Sequence, residues 1–228
     1  MCLSTEGILL PSEYLCSTNG TNNNKERCML VQMTRQLLLG AVFLITLPMS
    51  ANALIINDYD LPDVISADGG DSEIYLQGAS VRSWYLMVKG YIGALYLAEP
   101  TSNPEEIYAS EGYQRMAFVM LVSKMSARRI ANAFYESIQL NTPPAEQEEM
   151  KDEIAELLAL VDGSMKRGDQ AVFEYLPDQG VRIEIAGEEK GMIVSDKRLF
   201  NLILRVWIGE TPPSKTFKDE VLGLTPVG

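Results

Sequence analysis

From residue 73 onward, apolar positions fall into runs with the two-residue period of a strand and runs with the period of a helix. Residues 73–77, 80–89 and 91–98 read as strands, interrupted at Gly78 and at Lys89-Gly90. Asn103-Pro104-Glu105-Glu106 is a helix start, with a capping asparagine, a proline in the first turn and acids against the positive end of the dipole. Tyr113 to Val122 predicts a further strand. Ser126 caps a helix whose Ile130, Phe134 and Ile138 share one stripe, and Thr142-Pro143 opens another with Met150, Ile154, Leu157, Leu158 and Val161 inward. Beyond Asp162-Gly163, the runs Ala171–Tyr175, Val181–Ile185 and Gly191–Val194 predict a meander. A helix over Lys197–Trp207, apolar on most sides, and a short one from Pro213-Ser214 to Gly223 complete the pattern. Leu54 to Gly70 reads as an irregular leading segment. The expected fold is α+β: an antiparallel sheet with helices gathered on one face.

The first fifty residues do not follow this pattern. Met33-Thr34-Arg35-Gln36 is a short positive start, followed by the apolar run Leu37–Leu47 and then Ala51-Asn52-Ala53. That order is the mark of a secretory signal peptide, and the apolar run falls short of the about 20 residues that span a bilayer. The domains expected are therefore a non-native extension over 1–32, a signal peptide over 33–53 and one domain over 54–228, with translation starting at Met29 or Met33. No stable membrane span is expected once the signal is removed, and the location expected is periplasmic or secreted.

Composition narrows the chemistry. The net charge of −12 argues against nucleic acid or an anionic membrane surface as partner. The chain has no histidine, and its three cysteines, Cys2, Cys16 and Cys28, precede the expected cleavage point. Serine–histidine and cysteine–histidine catalysis, disulfides and imidazole or thiolate metal sites are thereby excluded from the mature chain. The acids Glu146, Glu148, Glu149, Asp152, Glu153 and Glu156 read as the solvated face of a helix rather than as a calcium site. No metal and no cofactor are expected.

What remains is a sheet rich in aromatic and basic residues: Arg82, Trp84, Tyr85, Lys89, Tyr91, Tyr96 and Arg115. Side chains alternate along a strand, so Arg82 shares a face with Trp84, Leu86 and Val88. An unpaired guanidinium on an apolar face costs several kcal/mol. Either a buried acid pairs with it, or it borders a cleft and meets an anionic ligand; the residues leave both open.

The runs Gly78-Ala79-Ser80-Val81-Arg82 and Gly93-Ala94-Leu95-Tyr96-Leu97 resemble the opening of the chalcone isomerase fold. Trp207-Ile208-Gly209-Glu210-Thr211-Pro212-Pro213-Ser214, with Phe217-Lys218, Leu222-Gly223 and Gly168-Asp169 leading into Phe173–Pro177, is similar to its exported bacterial branch. The resemblance covers residues 73–223. It implies an open-faced β-sandwich, an antiparallel sheet backed by helices with a ligand cleft between them. Plant members of the family hold a substrate oxyanion beside the motif arginine, and fatty-acid-binding relatives place that arginine on the ligand's carboxylate; Arg82 matches it. The family's other catalytic positions fall at Tyr91, at Arg129 or Ile130, at Glu136 or Ser137, and at Val206, none with the family's residue. Chalcone cyclisation is therefore not expected, and no catalytic residue is assigned.

The resulting expectation is an exported protein that binds a small lipophilic anion, a fatty acid or an aromatic carboxylate, with Arg82, Trp84 and Tyr91 as ligand-binding residues. Two other readings stay open: an isomerase or lyase using Arg82 and a tyrosine electrostatically on another substrate, and an interaction module whose cleft has closed around a structural Arg82.

Overall fold

A hairpin of β1 (Ala53–Ile56) and β2 (Tyr59–Pro62) comes first, turned by Asn57 and Asp58 at φ of 49° and 68°. Left-handed φ at both central residues is what a tight two-residue hairpin demands, and Asn and Asp tolerate it best after glycine. In this computed structural model residues 53–67, 69–70, 72–84 and 88–228 are described, all within the unit Ala51–Gly228. The expected extension and signal peptide lie outside the described residues, except for Ala53.

The remaining strands are β3 (Val64–Ser66), β4 (Glu73–Trp84), β5 (Val88–Leu97), β6 (Gln114–Met120), β7 (Lys124–Ser126), β8 (Ser164–Lys166), β9 (Gln170–Leu176), β10 (Gly180–Ile185) and β11 (Glu188–Ile193). Seven of them form one sheet in the order β11-β10-β9-β6-β5-β4-β3, antiparallel at every pairing, while β7 and β8 form a separate two-strand ladder. The helices are α1 (Pro104–Ala109), α2 (Ala127–Asn141), α3 (Pro144–Glu149), α4 (Lys151–Leu160), α5 (Lys197–Ile208) and α6 (Lys215–Val221).

Register sorts the sheet's two faces. Leu95, Met116, Phe173 and Ile183 lie in register across β5, β6, β9 and β10 and join the helices in the larger core, around Phe134, Ile138, Leu157, Phe200 and Ile203. The opposite face of β4–β6, with Ala79, Ile92, Ala94, Tyr96 and Val119, packs beneath Ile56 and Leu61 of the β1–β2 hairpin. Strand β5 is thus covered on both sides, which is why it reads as a continuous apolar run rather than an alternation.

Two glycines let α6 lie on this sheet. A Cβ at Gly78 would meet the Glu220 and Val221 carbonyl oxygens at 2.3 and 2.6 Å, and one at Gly93 would meet Phe217 Cζ at 2.5 Å. Both glycines of the family-like runs are therefore points of close approach between helix and strand.

Several sequence expectations change. Leu54–Gly70 is not irregular: it holds β1, β2 and β3, which are too short and too mixed in polarity to carry a strand period. The break near Lys89-Gly90 lies earlier, because Trp84 pairs with Val88 and Ser83 with Lys89, putting Val88–Gly90 on the returning strand. A bulge near Gly78, where a full break was expected, lets β4 run through it. The helix expected from Thr142 is two helices meeting at Met150, whose φ of −105° and ψ of 17° depart from helical values. Ser126 precedes α2 without capping it; the first helical N–H, on Ala127, goes to the Gly163 carbonyl at 3.0 Å, tying the helix to the β7–β8 ladder. Glu146 is not on a purely solvated face, since both its carboxylate oxygens accept from Arg205, at 2.9 and 2.7 Å.

Candidate ligand-binding site

At the Arg82 end of the sheet, between β4–β6, the β7–β8 ladder and helices α2 and α5, lies a cavity of about 410 Å³. Arg82, Trp84 and Tyr91 all line it. Arg82 and Tyr91 face each other across the β4–β5 ladder, and Tyr91 pairs in turn with Met120 of β6, another wall residue. Of the other residues expected on the Arg82 face, Leu86 lies outside the described residues and Val88 is exposed beyond a register shift at Arg82/Ser83.

The walls are mostly apolar. A chain of rings runs from Trp84 through Tyr91, Phe118 and Trp207 to Phe134 and Phe173, with successive centroids 6.4, 5.4, 4.4, 5.4 and 5.5 Å apart. Met120, Met125 and Met165 supply adaptable thioether surface, and Met125 and Met165 are directly paired in the β7–β8 ladder. Apart from Trp84 and Tyr91, which the sequence singled out, these wall residues were not legible as a site. They lie on different elements, and nothing local distinguishes them from core.

Arg82 donates through Nη1 to the Ser83 carbonyl at 2.6 Å, and no carboxylate lies within ion-pair distance of it among the described residues. Tyr91 accepts from the Trp207 indole N–H at 3.0 Å. Burial pushes its hydroxyl up to about 12, opposed by that hydrogen bond and by the nearby Arg82 charge, so Tyr91 keeps its proton at neutral pH. The family positions expected at Arg129, Ile130, Glu136, Ser137 and Val206 also line this cavity, with Arg129 and Glu136 exposed at its rim. Asp162, a further rim acid, is paired with Lys190 at 2.9 Å.

Other candidate actors lie elsewhere. Arg115 is on the opposite face, where it and Arg182 clasp the buried Glu174, Arg115 at 2.7 Å. Tyr96 sits in the core beneath the β1–β2 hairpin, and Lys89 is exposed, donating to Asn57 Oδ1 at 2.5 Å. Strand alternation sends Tyr96 away from the cavity, and the register shift at Arg82/Ser83 does the same for Lys89, which pairs with Ser83. Tyr85 lies outside the described residues. Among the described residues no cluster of three or more acids, histidines or cysteines is placed to hold a metal, and no helix is long and apolar enough to cross a membrane.

A family model described as chalcone isomerase-like matches residues 53–223. The chain belongs to the chalcone isomerase-like family. The match starts twenty residues before the resemblance read from the motifs (73 − 53 = 20), taking in β1, β2 and β3. Among solved structures, a fatty-acid binding protein of Arabidopsis thaliana superposes with a TM-score of 0.59 at 18% identity, over 75% of this chain and 96% of that one. A likeness at that identity carries the chalcone isomerase-like fold, and the open, helix-backed antiparallel sheet agrees with it. A search of curated proteins finds no match.

Proposed function

We propose that this chalcone isomerase-like protein is an exported binder of a lipophilic carboxylate, held in the cavity beside Arg82, and that it does not cyclise chalcones. One observation carries the reading: a guanidinium with no acid partner among the described residues lines a largely apolar cavity. A cation so placed stabilises an anion that enters with an apolar tail. The carboxylate accepts from Arg82 and from the retained Tyr91 proton, while the tail packs on the aromatic and methionine walls. A volume of about 410 Å³ lies within the roughly 300–1,000 Å³ of small-molecule sites. The fatty-acid binding neighbour supports a lipid ligand by analogy of fold.

Calorimetric titration with laurate tests this. Arg82→Met keeps side-chain length and removes the charge, and should weaken laurate about ten- to a hundredfold, the worth of a desolvated charge-assisted contact. Laurate binding that is unchanged in Arg82→Met would remove the basis of the reading.

Lack of cyclisation is supported by the replacement of the family's own residues at these positions, above all at Val206, which lines the cavity with no hydroxyl. Saturable, stereoselective flavanone formation from a chalcone, followed by absorbance, would refute it. Export rests on the signal-like order of residues 33–53. Cleavage after Ala53 would remove only the exposed first residue of β1. Intact mass of protein recovered from a secreting host should correspond to a chain starting at Leu54; retention of residues 33–53 would argue for an anchor.

A further inference from the structure

Tyr91 is held on one side only. Its oxygen accepts the Trp207 N–H at 3.0 Å, and an indole nitrogen donates but never accepts. The tyrosine proton must therefore point away from Trp207, and among the described residues no group accepts it. Its register partner Arg82 is likewise acceptor-free: five N–H groups, one of them used on the Ser83 carbonyl. The indole that sets this arrangement is 6% exposed and locked by rings at 4.4 Å (Phe118) and 5.4 Å (Phe134). A phenol free to rotate would donate to an anion or accept from an alcohol; the Trp207 N–H takes away the second choice.

We infer that Trp207 is a positioning residue that occupies the acceptor side of Tyr91, leaving the polar end of the cavity donor-only and selective for a deprotonated acid over an alcohol of equal chain length. The inference rests on the carboxylate-binding reading above. An alcohol oxygen at that end still accepts a hydrogen bond, but its own proton meets only donors, and a buried unpaired donor is penalised. A carboxylate has acceptors alone and fits without a mismatch. The selection holds across neutral and mildly alkaline pH, because Tyr91 stays protonated there.

The test compares laurate with 1-dodecanol on the full chain at pH 8, in wild type, Trp207→Phe, Tyr91→Phe and the double variant. Trp207→Phe keeps an aromatic ring in the wall and removes the N–H. It should weaken laurate about three- to tenfold while dodecanol binds as well or better, so the preference for the acid shrinks. In the Tyr91→Phe background the same change should leave the preference where it was. Equal weakening of both ligands, or an undiminished effect without the Tyr91 hydroxyl, would overturn the inference and leave Trp207 a packing residue. Should Trp207→Phe not fold, the indole N–H resonance decides. It should move on Tyr91→Phe and stay in place when laurate binds to wild type; a resonance indifferent to Tyr91→Phe overturns the inference. Laurate binding that depends on Arg82 with no shift in preference on Trp207→Phe sinks this inference alone, whereas wild type that binds neither ligand sinks the carboxylate reading with it.

Discussion

The sheet carries two kinds of arginine, one on each face. On the outer face Arg115 and Arg182 each hold one oxygen of Glu174, which is 1% exposed, and the three side chains form a closed ion triad. On the inner face Arg82 has a neighbour's carbonyl and a cavity. Both kinds occur within antiparallel strands among apolar neighbours. The difference is whether the charge is answered within the fold: an answered charge holds strands together, and the unanswered one is what the proposed binding site rests on.

The largest effect should come from breaking the closed set on the side that strands the acid. Arg115→Met combined with Arg182→Met leaves Glu174 buried and unpaired, and should cost about 3–5 kcal/mol in urea denaturation. Glu174→Leu should cost far less, because the arginine side chains are already 21% and 26% exposed and can turn to water. Equal costs for the two changes would mean that the triad does not act through the buried carboxylate.

A second test addresses what brings α6 onto the inner face. Gly78→Ala drives a methyl into the Glu220 and Val221 carbonyls, which are backbone and cannot swing aside, so about 1–3 kcal/mol of stability should be lost. A neutral Gly78→Ala in thermal unfolding would show that α6 is free to lift.

A third kind of cation is answered mainly by dipoles, with no ion pair among the described residues. Lys197 donates to the Ile107 and Tyr108 carbonyls and to Asn201 at 3.1, 3.4 and 3.2 Å, and burial lowers its pKa to about 8, partly offset by Glu111. Between about 8 and the ordinary lysine value of 10.5 the unfolded chain holds this proton and the folded one does not. Stability should therefore rise with pH from about 8, by about 1 kcal/mol per pH unit at most. The rise reverses near pH 10, where Tyr91, Tyr96 and Tyr175, each raised to about 12 by burial, hold protons in the folded state that the unfolded chain gives up. Melting temperatures of wild type and Lys197→Met between pH 7 and 10 check this; a rise that survives Lys197→Met would assign it to another group.

The smallest effect is expected at Arg82 itself. Without ligand, Arg82→Met should change stability by less than about 1 kcal/mol, because no acid is stranded. A loss of 3 kcal/mol or more would place Arg82 among the structural arginines and remove the contrast between the two faces.

The long elements were legible because their periods are local. Asn103 accepts from the Glu105 N–H at the start of α1 as its sequence position suggested, and the meander β9–β11 lies where its turns put it, within a residue or a few at each end. The β1–β2 hairpin was missed although Asn57-Asp58 was a usable signal, because the flanking runs Ala53–Ile56 and Tyr59–Pro62 are only four residues each. Arg82 could be singled out as a misplaced charge, but Arg115 carries the same local signature, and only strand register separates them. Glu174 stands 59 residues from Arg115, and no spacing rule pairs them. The sequence by itself determined the types of the long elements, the absence of histidine chemistry and the family motifs, since composition and near-neighbour periodicity reside in the chain. Only the tertiary structure decided which arginine meets an acid and which meets a cavity, and that Trp207 faces Tyr91 from 116 residues away. Those outcomes depend on which strands pair and which helix covers them, and burial and hydrogen-bond satisfaction act through space rather than along the chain.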